Sequence, residues 1–168
     1  MKDLQRIDRQ FAELADLIAQ GDGALAARAP RVSAWSVAQQ LDHMLKVAHA
    51  VFARLTGEEA ELARGINATG RLLLTLGWLP RGVGKAPRGA LPAEAPAAAE
   101  LGERLRQLRG NFQALGYRGA LLSSRQRRFK HPYFGGLDCG QTLRFLGVHT
   151  HHHLKIVRDI RRAAGLTA

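Results

Sequence analysis

Four segments of this chain repeat apolar residues every three or four positions, and this periodicity constrains the fold more than any other feature. In residues 3–20 the apolar positions are Leu4, Ile7, Phe11, Leu14 and Ile18. Such spacing aligns one apolar stripe along an α-helix, whereas a half-buried strand needs two-residue alternation, which no segment shows convincingly. The same pattern predicts helices over about 35–57, 93–115 and 139–163. Four amphipathic helices predict an all-α fold, an antiparallel four-helix bundle, and we expect one domain spanning residues 1–168.

Sequence signals also mark the starts of two helices and the segments between the helices. Ser36 with Gln39, and Asp138 with Gln141, have the spacing of capping boxes, so we expect a helix to begin beside each pair. The intervening segments are predicted as a short helix around 68–76, a Gly- and Pro-rich loop over 80–92, and turns over 117–137.

Composition excludes several classes of protein. Apolar residues make up 46% of the chain, which is enough for a real core. The single cysteine, Cys139, rules out an internal disulfide framework and any multi-cysteine zinc finger, and we interpret it as structural. No stretch approaches 18 uninterrupted apolar residues, so a membrane span is not expected. Because the first residues, MKDLQRIDRQ, lack the apolar stretch of a signal peptide, we predict a cytoplasmic protein without a membrane partner.

The net charge of +11 raises the question of a nucleic-acid partner. Basic clusters occur at 125–130 and 158–162, and such patches attract phosphate. The excess is carried mostly by arginine, however, and no helix-turn-helix, zinc-finger or RNP-type motif organises it. We therefore interpret the charge as a solvated surface. A basic, non-enzymatic binding module for nucleic acid or an acidic partner is the alternative function.

Histidine placement is the most informative chemical feature. Seven histidines are present, and four of them fall within the five residues HTHHH at 149–153. On a helix His149 and His153 lie one turn apart, on the face that also carries Leu146 and the apolar stripe. We therefore expect these two imidazoles to point into the bundle, and His151 and His152 to point away from it. Two explanations fit such a pair: a divalent metal bound by neutral imidazoles, or hydrogen bonds to neighbours and water.

A third metal ligand would have to come from another helix. His43, within LDHML on the second helix, is the best candidate, and His49 is the fallback. His43 lies about 120° from the apolar stripe of its own helix, although a bundle helix contacts two neighbours. Spacing alone therefore does not distinguish a surface histidine from a metal ligand at His43.

Three motifs carry a resemblance to a known family. They are WSVAQQLDHM at 35–44, HPYFGGL at 131–137 and LRFLGVHTHHHLKIVRDI at 143–160. In order and spacing they resemble the DinB/YfiT-like superfamily of metal-dependent enzymes, over nearly the whole chain. The resemblance implies a four-helix bundle that holds nickel or zinc through three histidines, which fall here on His43, His149 and His153.

The resemblance also implies a range of activities and partners. Members of the superfamily transfer or rearrange small thiols or hydrolyse small molecules, some with a low-molecular-weight thiol as cofactor. A small-molecule substrate and a homodimer are implied in the same way. This sequence shows no distinctive thiol-cofactor motif, so the resemblance leaves a hydrolase and a thiol transferase both open. A relative that keeps the fold and the metal site without turnover is a third possibility.

Coordination chemistry indicates what such a site would do. Three neutral ligands leave a divalent ion its full charge and at least one open position, where water or a thiol can be activated. His131 is the candidate catalytic residue, because its segment leads directly into the last helix; a structural turn explains it equally well. Asp42 is interpreted as a cap or an ion-pair partner. Trp35 and Phe134 are expected in the core.

Overall fold

The computed structural model describes residues 2–57, 62, 64–126 and 129–166. Within these ranges the chain forms seven α-helices, one 3-10 turn at Arg88–Ala90 and one two-stranded antiparallel sheet. The helices are α1 (Lys2–Ile18), α2 (Gly21–Leu25), α3 (Val37–Thr56), α4 (Ala68–Leu76), α5 (Ala98–Leu115), α6 (Gly119–Ser123) and α7 (Cys139–Ala163). The strands are β1 (Phe129–His131) and β2 (Gly135–Leu137).

The four long helices α1, α3, α5 and α7 pack as a bundle. Helix α1 contacts α5 and α7, and α3 contacts the same two helices. Helices α1 and α3 therefore lie diagonally opposite each other, as do α5 and α7. The predicted all-α fold is confirmed. None of the described helices combines the length and the apolar character that crossing a membrane requires.

The apolar stripes predicted from the periodicity form the core. On α1, Ile7, Phe11, Leu14 and Ile18 are buried, and Leu4 is partly buried. The apolar stripe residues on the other long helices are all buried: Val37, Leu41, Met44, Ala48, Val51 and Leu55 on α3, Leu101, Leu105, Leu108, Phe112 and Leu115 on α5, and Leu143, Leu146, Val157 and Ile160 on α7. The ring of Phe11 meets that of Phe112 edge to face, with centroids 5.5 Å apart, and this contact joins α1 to α5. Burying large side chains from every long helix in one cluster is what holds the four together.

Both predicted capping boxes are present. The Ser36 side chain accepts from the Gln39 N–H while the Gln39 side chain accepts from the Ser36 N–H, and Asp138 and Gln141 repeat the arrangement. These reciprocal bonds satisfy backbone N–H groups that a helix start leaves unpaired. The start of the third long helix was predicted wrongly, because α5 begins at Ala98 rather than near residue 93.

The turn-rich segment contains a hairpin that the sequence did not indicate. Strands β1 and β2 pair antiparallel with Phe129 opposite Leu137. Three residues per strand are too few to show alternation, and two of the residues in β2 are glycines. Gly135 has φ +83°, and a Cβ there would lie 2.6 Å from the carbonyl oxygen of Gly65. Only glycine therefore fits at this close approach to the segment before α4. The hairpin packs against α3 and α7 and so lies beside the histidine helix.

Candidate metal centre

Three histidines from two facing helices meet inside the bundle. His43 comes from α3, and His149 and His153 come from successive turns of α7. Each offers one ring nitrogen, and the three nitrogens lie within 4.8 Å of one another. The Nε2 atoms of His43 and His149 are 3.2 Å apart. The structure thus brings together the three histidines that the family resemblance singled out.

Burial distinguishes this cluster from a surface arrangement. His43 is 4% exposed and His149 is 9% exposed, while His153 is half-buried. The alternative of a surface position for His43 is therefore wrong: besides α5 and α7, the loop before α5 also covers α3. The fallback ligand His49 is exposed and lies outside the cluster, in an outer cavity of about 390 Å³ between α3 and α5.

In two of the histidines, His43 and His153, the Nδ1 atom donates to an oxygen atom outside the cluster; we call Nδ1 the outer nitrogen. His43 Nδ1 lies 2.6 Å from the carbonyl oxygen of Ala90, and His153 Nδ1 lies 2.7 Å from Oε1 of Gln40. Each oxygen can only accept, so Nδ1 carries the proton in both rings. Their Nε2 atoms are left with free lone pairs, which is the form of imidazole that binds a metal.

The third histidine has an unsatisfied nitrogen. Nδ1 of His149 is buried and has no hydrogen-bond partner among the described residues. Its Nε2 faces the lone pair of His43 Nε2. Nδ1 of His149 lacks a partner among these residues in either tautomer, and in the Nδ1–H tautomer the Nε2 lone pairs of His149 and His43 also face each other, which is unfavourable without a cation. A divalent cation among the inward-facing nitrogens relieves the repulsion, and imidazole suits nickel and zinc. The residues therefore fit the metal that the family implies.

Burial keeps all three imidazoles neutral. Desolvation lowers the pKa of His149 well below its ordinary value, and the nearby His43, His152 and His131 lower it further. Desolvation likewise lowers the pKa of His153, with His149 and His43 adding to the effect. The pKa of His43 is lowered by desolvation as well, although its bond to Ala90 opposes the change. Protons therefore compete weakly with a metal at neutral pH.

A buried carboxylate holds the loop that bonds His43. Asp42 is 0% exposed, and its Oδ2 accepts from the Ala93 N–H at 2.7 Å. Its Oδ1 accepts from Arg104 at 2.5 Å, and Lys46 lies 3.0 Å from Oδ2. Burial alone would raise the pKa of Asp42, but the bonds from Ala93, Arg104 and Lys46 lower it overall. The predicted ion-pair role of Asp42 is confirmed, and it fixes the residues just after Ala90.

Phe134 and Trp35, the two aromatic residues expected in the core, differ in how deeply they are buried. Phe134 is 5% exposed, as predicted. Trp35 is only half-buried, and its ring lies 5.0 Å from that of His43. Trp35 therefore forms part of the wall of the histidine cluster rather than of the central core. Cys139 is buried at the start of α7, in keeping with a structural role.

His131 is the last residue of β1, directly before the hairpin turn, and lies near the cluster. Its Nδ1 accepts from the N–H groups of Tyr133 and Phe134, at 3.2 and 3.1 Å. Its ring stacks on Phe134 with centroids 4.1 Å apart and touches Phe145, whose ring in turn meets His149. Desolvation lowers the pKa of His131 to about 4, so the ring is neutral at pH 7. Because Nδ1 accepts two bonds, the ring proton lies on Nε2.

Sequence reasoning missed two partners of the metal ligands. One is Gln40, three residues before His43 and therefore on the same side of α3. That spacing is the signal that could have identified it. The other is the carbonyl of Ala90 in the Gly- and Pro-rich loop, which no side-chain pattern reveals. His152 is not one of the three clustered ligands; it is half-buried, and its Nδ1 donates to the carbonyl oxygen of Leu79.

Comparison with known families agrees with this geometry. A sequence model of the DinB superfamily matches residues 4–157, which is most of the chain. The chain therefore belongs to the DinB superfamily. Searches of curated proteins and of solved structures gave no significant match.

Proposed function

We propose that this protein is a metal-dependent enzyme that uses a three-histidine nickel or zinc site to act on a small molecule. The observation that carries the proposal is the convergence of His43, His149 and His153, with the outer nitrogens of two of them held by hydrogen bonds. Three neutral ligands would leave an ion with an open position, where it lowers the pKa of water or of a thiol and polarises a carbonyl. Hydrolysis and thiol transfer, the latter with a low-molecular-weight thiol, are the two reaction classes to test.

The surrounding residues orient the ligands and limit access of water. Gln40 and the carbonyl of Ala90 hold two of the imidazoles in one tautomer. Trp35 covers one side of His43, and Phe145 packs against His149. We propose His131 as the nearby polar group, acting through Nε2–H as a hydrogen-bond donor to substrate. With Nδ1 occupied by the turn, His131 cannot take up a proton there without releasing two backbone N–H groups.

A thermal-shift measurement tests the site. Zinc or nickel at about 100 times its Kd should stabilise the apoprotein by about 2.7 kcal/mol. A variant with His43, His149 and His153 all changed to alanine should show no such shift. His49→Ala is the matched control, since it removes an exposed histidine of the same helix, and it should respond like the wild type. An equal response of the triple variant would refute the proposal.

Reaction class requires an assay of turnover. Protein loaded with zinc or nickel would be tested for hydrolysis of small esters and amides, and for transfer of glutathione, bacillithiol or mycothiol to small electrophiles. Activity that disappears in His153→Ala and persists in His49→Ala supports an enzyme. Metal binding without turnover would instead favour a relative that keeps only the site.

The alternative of a basic binding module receives less support from the structure. Several arginines form ion pairs on the molecule itself, including Arg81 with Asp159, Arg109 with Asp8 and Arg158 with Glu13. These three arginines are therefore paired within the protein, although the pairing leaves the net charge of +11 unchanged. A DNA-binding assay distinguishes the two functions, because a nucleic-acid module would bind with an affinity that falls steeply with salt. A homodimer and a cytoplasmic location stay predictions.

A further inference from the structure

The three histidines differ in what holds their outer nitrogens. His43 donates to a backbone carbonyl, His149 Nδ1 has no partner among the described residues, and His153 donates to the side chain of Gln40. Gln40 is 2% exposed, so solvent cannot readily replace its bond to His153. Of the two partners, the backbone carbonyl is fixed by the chain, whereas the side-chain amide can change its orientation.

A second hydrogen bond anchors the Gln40 amide in its observed orientation. Its Nε2 donates to Oγ of Ser33 at 2.9 Å, and the same Oγ accepts from the Trp35 N–H at 3.1 Å. With Nε2 bonded to Ser33, Oε1 faces His153 and accepts from its Nδ1.

Rotating the amide by half a turn would reverse the chemistry of His153. Gln40 would then present an N–H to Nδ1 of His153. Nδ1 can accept that hydrogen bond only if it carries no proton of its own. The ring proton would move to Nε2, and the lone pair that faces His43 and His149 would be lost. The amide orientation thus decides whether His153 is a metal ligand.

We propose that Gln40, oriented by Ser33, is a positioning residue that holds His153 in its metal-binding tautomer. This inference rests on the proposed three-histidine metal site. Gln40 acts through the ring of His153 and need not touch the metal or the substrate. Its removal therefore changes metal affinity through the population of one imidazole tautomer.

A matched set of variants tests this with zinc alone. Zinc Kd would be measured on chelator-treated protein by competition with a chromogenic chelator. Gln40→Met keeps the length of the side chain but removes the acceptor, and should weaken zinc binding about 10- to 100-fold. Gln40→Glu keeps an acceptor, and the ionised carboxylate cannot donate. This variant should bind zinc as tightly as the wild type or more tightly.

Two further variants separate positioning from folding. Gln10→Met removes another buried amide, which donates to the carbonyl oxygen of Gly147 at 2.9 Å, and should lower the melting temperature without changing zinc affinity. Ser33→Ala leaves every ligand and Gln40 in place but frees the amide to rotate, and should weaken zinc binding by a smaller factor. Ser33→Ala is the deciding variant if Gln40→Met fails to fold.

The outcomes distinguish this inference from the proposed function. Wild-type zinc affinity in Gln40→Met or in Ser33→Ala would overturn the role of Gln40 while leaving the metal site intact. Equal weakening in Gln40→Met and Gln40→Glu would also overturn it, because only the former removes the acceptor. Failure of the wild type itself to bind zinc or nickel would instead refute the proposed function.

Discussion

His43 Nε2 and His149 Nε2 lie 3.2 Å apart, although 106 positions separate the two residues in the chain. This contact depends on the packing of α3 against α7 and cannot be produced by either helix alone. Two imidazole nitrogens that face each other inside a protein destabilise the fold unless a proton or a cation lies between them. A cation can take the place of that proton, so folding brings together a site that a divalent metal can occupy.

Stability of the metal-free protein is expected to depend on pH. Burial lowers the pKa of His43, His149 and His153 below the unfolded value of about 6.5, so below that pH the unfolded chain binds more protons. The free energy of unfolding should fall as the pH decreases through about 6.5, by up to about 1.4 kcal/mol per pH unit for each histidine. Urea unfolding of chelator-treated protein measures this. A variant with all three changed to glutamine should show a shallower fall, and an identical profile would contradict the assignment.

Trp35 should report metal binding by fluorescence. Its ring lies 5.0 Å from that of His43, whereas the other tryptophan, Trp78, is 54% exposed. Nickel is expected to quench the emission of Trp35, so titration should lower the fluorescence with a sharp end point. The quenching should persist in Trp78→Phe and disappear in Trp35→Phe. The reverse pattern would place the metal elsewhere.

Asp42→Asn should destabilise the protein and loosen the loop that bonds His43. The substitution removes the charge that Arg104 and Lys46 pair with, although both cations can still reach water. We expect a loss of about 2 kcal/mol, below the value for a fully buried pair. Asp8→Asn is the control: Asp8 and Arg109 form an ion pair that is roughly half exposed, so its loss should be under about 1 kcal/mol. Equal losses in urea unfolding would contradict this role for Asp42.

Two substitutions separate the turn role of His131 from its proposed role at the site. His131→Asn retains an acceptor for the Tyr133 and Phe134 N–H groups, whereas His131→Phe retains the ring stack on Phe134. His131→Phe should therefore lose about 1 kcal/mol of stability through the unpaired N–H groups. If Nε2–H binds substrate, both variants should lose activity. Full activity in His131→Asn would limit His131 to the turn.

Much of the fold could be predicted from local patterns. The long helices follow the apolar periodicity, and their starts at α3 and α7 follow from Ser36 with Gln39 and Asp138 with Gln141. The hairpin could not be predicted, because three-residue strands containing Gly135 and Gly136 carry no periodic signal. Its formation depends on packing against α3 and α7.

The candidate site was predictable only in part. The positions of His149 and His153 follow from helical spacing, but the inward direction of His43 depends on a loop that bonds it from outside the helix. The carbonyl of Ala90 and the amide of Gln40 reach their histidines through tertiary packing. Periodicity reports which face of a helix is apolar, and it does not report which polar groups meet across helices.

Metal analysis of protein purified without a nickel resin tests the central claim most directly. The account predicts close to one equivalent of nickel or zinc per chain in the wild type. It predicts none in the variant with His43, His149 and His153 changed to alanine, and wild-type content in His49→Ala. Wild-type protein with no stoichiometric metal, and with no thermal stabilisation over the triple variant when zinc or nickel is added, would contradict the account.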